Sequence, residues 1–352
     1  MTKLTNATGG ERRWWGVLPV LPAPVLGGMA KQMEQVGFEG CFSLQIYGPP
    51  FVPMAAVAAM TDTLKVSTGI AVAGTRSPVE TAYAAIELDT ISQGRFVLGL
   101  GTSLHSALEG IYGEPRRKLL THLREVVKIV RYVNANGHKE MVPLHGEYYD
   151  LAWTEKMMTP PPVREHIPIW IAALKDKLTS LTLEIADGLM VHALWTVDYT
   201  VQKKSFIEAE LARFGRKRDE VEINAWPWIA INDDKQQAID DSRATVAGYA
   251  GYKEYESFFD SIGFGDLARD CQLAAGEHGD VSGVIDKVSD EMVQAFVKCG
   301  PVDDVLEQIE PFWGVVDSLC PMTPYRNLSM EQLTSYNEGL FRMVAEAKRR
   351  GG

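Results

Sequence analysis

Four cysteines, Cys41, Cys271, Cys299 and Cys320, lie far apart in 352 residues, and no two form a C-x-x-C pair. That spacing excludes a zinc knuckle and a disulfide framework, and it fits a reducing cytoplasm. Basic residues are also scarce. With 35 Lys and Arg against 46 Asp and Glu, the formal net charge is -11, which argues against a nucleic-acid partner, because neutralising phosphates needs clustered cations. No apolar run approaches membrane-spanning length, and MTKLTNATGGERRWWG lacks the apolar centre of a secretory leader, so no membrane attachment is expected. Residues 1–13 read as a loose arm.

What is present is alternation. Short apolar, β-branched runs recur between longer helical patterns, at Trp15–Val20, Gly40–Gln45, Lys65–Val72, Arg95–Gly99, Ile169–Ala172, Gly188–His192, Glu222–Ile231 and Val315–Leu319. Nearly continuous apolar strands joined by helices predict a buried parallel sheet. Eight of them predict an α/β fold of the (β/α)8 TIM-barrel class over residues 14–328. Helices are expected over Val25–Val36, Phe51–Met60, Leu119–Asn134 and Lys177–Ala186, and behind the capping signal Ser77-Pro78-Val79-Glu80. Two stretches read as insertions. Residues 137–165 are loop-like, with HGEYYDL and a triple proline, and residues 249–297 are polar and mostly helical. Ser329-x-x-Gln332 opens a C-terminal helix over 329–352.

A barrel of this class keeps its active site at the carboxyl ends of the strands. That rule selects 19–21, 45–47, 72–76, 101–105, 173–177 and 192–195. These positions hold no H-x-H and no carboxylate pair, so no metal site is expected, and no Ser-His-Asp order is present. Small residues, hydroxyls, amides, two histidines and aromatics remain, a lining suited to a flat organic cofactor that carries the hard chemistry itself.

GFEGCFSLQIYGPPFVP, KVSTGIAVAGTRSPVETAYAAIELDTISQGRFVLGLGTS, HGEYYDL and PIWIAALKDKLTSLTLEIADGLMVH resemble, in order and spacing, successive blocks of the luciferase-like superfamily, nearest to its coenzyme F-420 (deazaflavin)-dependent oxidoreductases. The resemblance spans roughly Trp14 to Leu319. It implies a cofactor ring lying on a bulge at Gly69, Ile70 and Ala71, with a cis peptide at Gly69-Ile70. Gln45 would border the ring. Gly99 and Gly101 would admit it closely, with Thr102 and Ser103 donating hydrogen bonds. Residues Ala172, Ala173, Leu174, Lys175, Asp176 and Lys177 would hold its phosphate, although family members carry Gly-Pro where Lys175-Asp176 stand. Read without the resemblance, GLGTS fits a plain strand-to-loop turn equally well.

The Asp-His pair of several deazaflavin enzymes is matched here by Gln45 and Ile46, and the glutamate after the fourth strand by Leu104, so the family's acid–base residues do not carry over. His105, His192, Tyr47 and, one helical turn beyond His105, Glu109 are the substitute proton donors. Tyr112 and Trp195 would wall a pocket for an apolar substrate, and Arg76, Lys175 and Lys177 would balance the cofactor's charge. The resemblance implies a homodimeric oxidoreductase moving a hydride between coenzyme F-420 and a small organic molecule. Two alternatives stay open: an FMN-dependent monooxygenase using dioxygen, and a non-catalytic relative that binds a cofactor or a partner.

Overall fold

The computed structural model describes residues 4–46, 48–153, 155, 160–275 and 280–351. The chain forms a (β/α)8 barrel. Its strands are β1 (Arg13–Val17), β2 (Gly40–Ser43), β3 (Lys65–Thr68, resumed at Ala71–Val72), β4 (Phe96–Gly101), β5 (Ile169–Ala173), β6 (Gly188–Val191), β7 (Glu222–Ala225) and β8 (Ser318–Leu319). The hydrogen-bonded order is β3-β2-β1-β8-β7-β6-β5-β4, and β4 pairs in turn with β3, which closes the sheet. Every residue of β2, β4 and β6 is buried, as expected of parallel strands covered on both faces.

The chain divides into two compact units, one of residues 15–191 and 206–224, the other of 1–14, 192–205 and 225–352. The first holds the expected helices, at Ala23–Val36, Phe51–Met60, Pro78–Ile91, Leu119–Asn136 and Asp176–Ile185. Ser77 accepts from the Val79 amide, so the third of these starts where its serine and first-turn proline predict. The core of this unit includes Trp15, whose ring centroid lies 4.7 Å from that of Phe42 and 5.0 Å from that of Trp170. Among its described residues, the 137–165 stretch carries only a short antiparallel pair, Leu144–His145 with Asp150–Leu151. It is pinned further along, where Arg164 donates to the buried carboxylate of Asp89 and to the Phe96 carbonyl.

Three expectations need correction. The run Glu222–Ile231 is two strands. Only Glu222–Ala225 belongs to the barrel, while Trp228–Ile231 pairs in parallel with Val297–Gly300 in a separate small sheet. Pro227, which has no N–H to donate, separates the two. The last barrel strand is only two residues long, Ser318–Leu319. The N-terminal arm is fastened rather than loose from residue 4 onward. Asn6 is buried, donates to the Glu11 and Asp317 carbonyls, and accepts from the amides of Thr8 and Gly10. Buried Arg12 pairs with both oxygens of Glu310. Met330–Arg349 forms the C-terminal helix, with the full capping box at Ser329 and Gln332.

Candidate active site

In the first unit, β3 is interrupted between Thr68 and Ala71, where the Gly69-Ile70 peptide is cis. The Gly69 amide donates to the Ser43 carbonyl at 2.8 Å, fixing the break against the end of β2. On its other side the break rests on β4. A Cβ on Gly99 would lie 1.7 Å from the Thr68 carbonyl oxygen, and one on Gly101 would lie 2.3 Å from Ile70 Cδ1. Gly99 is therefore required by the backbone of the neighbouring strand, whereas at Gly101 the obstacle is the tip of the Ile70 side chain. Ser103, just past β4, has φ of +59°, an uncommon conformation for a residue with a side chain.

Gln45 joins three loops at this mouth. Its Oε1 accepts from the Val72 amide at 2.9 Å, and its Nε2 donates to Thr75 Oγ1 at 3.1 Å and to the Tyr112 hydroxyl at 3.3 Å. Thr75 in turn donates to the Val72 carbonyl, which tightens the turn Ala73–Thr75. Arg76 follows. Its guanidinium lies 5.1 Å from the Phe51 ring centroid and reaches Gln45 Oε1 at 3.5 Å. Burial pulls its pKa below the ordinary value, opposed by Tyr112 and Glu80. Ile46, which stands at the family's histidine position, is 65% exposed. Tyr47 lies outside the described residues.

His105 is the first residue of the short helix His105–Gly110, and its Nδ1 is buried without a hydrogen-bond partner among the described residues. Ala173 and Leu174 are buried, and Lys175 holds the cap position of Asp176–Ile185. Lys177, Asp176 and Ser180 line a groove of 540 Å³ with Arg124 and Arg213, but both arginines are already paired, with Glu184 and Glu210. Thr179 is buried and donates to the Lys175 carbonyl, so it is not a free donor for a phosphate.

One buried group went unnoticed in the sequence. His122 hydrogen-bonds to the Tyr149 hydroxyl at 2.8 Å, and its Cε1 lies 3.9 Å from where a Cβ on Gly74 would stand. Its pKa falls to about 4, through burial first and the Arg117 charge second, against an opposing pull from Glu125. The signal was its place on the buried stripe His122, Leu123, Val126, Val127 and Val130.

The other two candidates belong to the second unit. His192 lies beside Tyr255 and Tyr249, with centroids 5.4 and 6.0 Å away. Its Nδ1 accepts from the Leu194 amide at 3.1 Å, which assigns the proton of the neutral ring to Nε2. Burial pushes its pKa down to about 4. Trp195 is buried and packs edge-on against Tyr199.

Set beside known proteins, the sequence matches the profile of the luciferase-like monooxygenase family over residues 20–314. It is 30% identical, over 260 residues, to a 5,10-methylenetetrahydromethanopterin reductase of Archaeoglobus fulgidus, covering 73% of this chain and 75% of that one. In structure it is similar to a coenzyme F-420 dependent tetrahydromethanopterin reductase of Methanopyrus kandleri (TM-score 0.78, 20% identity, 96% and 98% covered). It is also similar to the oxygenating constituent of 3,6-diketocamphane monooxygenase of Pseudomonas putida in complex with FMN (TM-score 0.65, 15% identity, 95% and 96% covered).

Proposed function

The chain belongs to the luciferase-like monooxygenase family, and from that premise we propose that it is an oxidoreductase that passes a hydride between coenzyme F-420 and a small organic substrate with an apolar body. The observation that carries this reading is the 30% identity, over 73% of the chain, to a protein named a methylenetetrahydromethanopterin reductase. A structural neighbour of similar name is described as coenzyme F-420 dependent.

The residues present suit a flat ring. The mouth has small main-chain positions at Gly69 and Ala71, an amide anchor at Gln45, and an orphaned imidazole nitrogen at His105. Bound there, a deazaflavin would supply a ring carbon able to give or take a hydride. The chain's share is placement and proton handling. Gln45 holds the Val72 amide, and with it the segment on which Gly69, Ile70 and Ala71 would support the ring. Thr102 and Ser103 would donate to it. Residues 172–177, at a helix N-terminus, would meet the phosphate. His105 would hold the proton that accompanies hydride transfer. His192 is the second candidate for that role, as a neutral Nε2–H donor, and Tyr47 the third. Tyr112 would bound the substrate.

The second reading, an FMN-dependent monooxygenase, is favoured by the FMN complex of the Pseudomonas neighbour. Equilibrium binding of each cofactor to the purified apoprotein separates the two. Coenzyme F-420 is expected to bind at least tenfold more tightly than FMN, an estimate of about 1.4 kcal/mol in favour of the deazaflavin. Tight FMN binding with substrate-dependent oxygen consumption would overturn the proposal.

A further inference from the structure

Arg76 is a cation in need of a counter-ion. It forms no ion pair with any described carboxylate, and its one hydrogen bond to a described residue is the 3.5 Å contact with Gln45 Oε1. That oxygen is already taken at 2.9 Å by the Val72 amide. The guanidinium is half-buried beside the Phe51 ring, so water compensates its charge only in part, and most of its five donors are uncommitted. Among other buried or half-buried arginines, Arg12 is answered by Glu310, Arg131 by Asp187, Arg164 by Asp89, and Arg243 by Asp240 and Asp290, while Arg95 commits its donors to four carbonyls and the Thr61 hydroxyl and Arg326 reaches the Tyr252 hydroxyl.

The position of Arg76 adds to the field. It immediately precedes Ser77, the cap of the fourteen-residue helix Pro78–Ile91, whose positive end therefore lies beside it. Glu80 in the first turn is exposed and makes no ion pair with it. Through Gln45, Arg76 connects to Val72, two residues beyond Ile70, and to the hydroxyl of half-exposed Tyr112.

We propose that Arg76 anchors an oxyanion, and that the substrate is an organic acid whose carboxylate pairs with this guanidinium while its apolar body meets Tyr112 and Ile46. This rests on the oxidoreductase reading and narrows it to a substrate class. The same chemistry would also accept an anionic group of the cofactor, so the test must separate the two sources.

Full-length protein is titrated calorimetrically at neutral pH with benzoate and with its neutral isostere benzamide, both alone and saturated with coenzyme F-420. Benzoate is expected to bind about tenfold more tightly than benzamide in both states. Arg76→Gln should bring the ratio close to one, with Arg76→Lys between the two. Should Arg76→Gln fail to fold, a fall in the wild-type ratio with added sodium chloride reads the same charge. Equal binding of the two probes overturns the proposal, as does a ratio unchanged in Arg76→Gln or insensitive to salt. Loss of benzoate binding on saturation assigns the oxyanion to the cofactor and overturns the substrate assignment. Failure of coenzyme F-420 to bind the wild type, with the benzoate preference intact, sinks the oxidoreductase reading and leaves the anion site standing.

Discussion

Thr68 and Gly99 hold each other twice. The threonine hydroxyl donates to the Gly99 carbonyl at 2.7 Å and accepts from the Gly99 amide at 2.9 Å. The Thr68 carbonyl also fills the space that a side chain at Gly99 would need. This contact fixes the end of β3 against β4 just before the chain turns into the candidate site. Gly99→Ala sets a methyl against a backbone oxygen that cannot rotate away, and a loss of about 3 kcal/mol or more is expected in denaturant titration. Thr68→Val keeps the shape but leaves a buried amide and carbonyl unmatched, at a cost of about 2 kcal/mol. Thr68→Ser should recover most of it. A Gly99→Ala protein as stable as wild type would contradict the close approach.

Gln45 carries a different expectation, because it is only half-buried and its bonds organise loops rather than core. Gln45→Leu removes the acceptor of the Val72 amide and the tie to Tyr112. The melting temperature should move little, and cofactor affinity should fall roughly tenfold, the effect of about 1.4 kcal/mol being confined to the bound state. Gln45→Glu retains the acceptor for Val72 and should bind better than the leucine variant. Equal affinity in all three proteins would remove Gln45 from the site.

How much of this was legible in the sequence depends on what kind of signal each feature leaves. Parallel strands covered on both faces leave long apolar runs, so the eight barrel strands could be located from residues alone, though not the bounds of the seventh and eighth, and so could the helix starts marked by Ser77-Pro78 and Ser329-x-x-Gln332. The break in Glu222–Ile231 was written in Pro227 but masked by the apolar residues on both sides. The fastening of the arm left no periodic signal, because it depends on one asparagine bonding to its neighbours and to Asp317, which is 311 positions away. GLGTS marks a close approach without naming the approaching group. Only the fold identifies it as Thr68 and Ile70, and the same holds for the long-range pairing of Arg164 with Asp89.

That pairing is the clearest case where stability should depend on a charge. Asp89 is 1% exposed and receives both Nε and Nη2 of Arg164, which also reaches the Phe96 carbonyl. Asp89→Ala leaves a guanidinium facing an apolar hole, and a cost of about 3–5 kcal/mol is expected. The paired change Asp89→Leu with Arg164→Met should be much milder than either single change, since it strands no charge. A double-mutant cycle in urea measures this, and simple additivity of the two single losses would contradict the coupling.

His192 should make stability depend on acid. Its folded pKa is about 4, against an ordinary value of 6.5, so the unfolded chain takes up a proton before the folded one does. The stability it contributes is complete above about pH 6.5 and is lost as the pH falls towards 4, by on the order of 3 kcal/mol. His122 is lowered to about 4 as well, so His192→Gln should remove roughly half of the slope over that range and leave the region above neutrality unchanged. A variant that loses stability between those pH values as steeply as wild type would show that the slope comes from other groups.

His105 separates a chemical role from a packing role. Its Nδ1 is buried with no partner among the described residues, at the first residue of a six-residue helix. Such a nitrogen suits a group whose partner arrives with the ligand, although Trp14 Nε1 and His138 Nδ1 are likewise unmatched. If His105 holds the proton of the hydride transfer, His105→Gln should lower kcat by roughly a hundredfold or more, leave KM within a few-fold, and leave the melting temperature nearly unchanged. The pH dependence of kcat should lose one limb in the same variant. If the ring only fills space, the melting temperature falls instead, and kcat keeps both its size and its pH profile. Steady-state kinetics across pH, run beside thermal melts of the same preparations, decides between these outcomes.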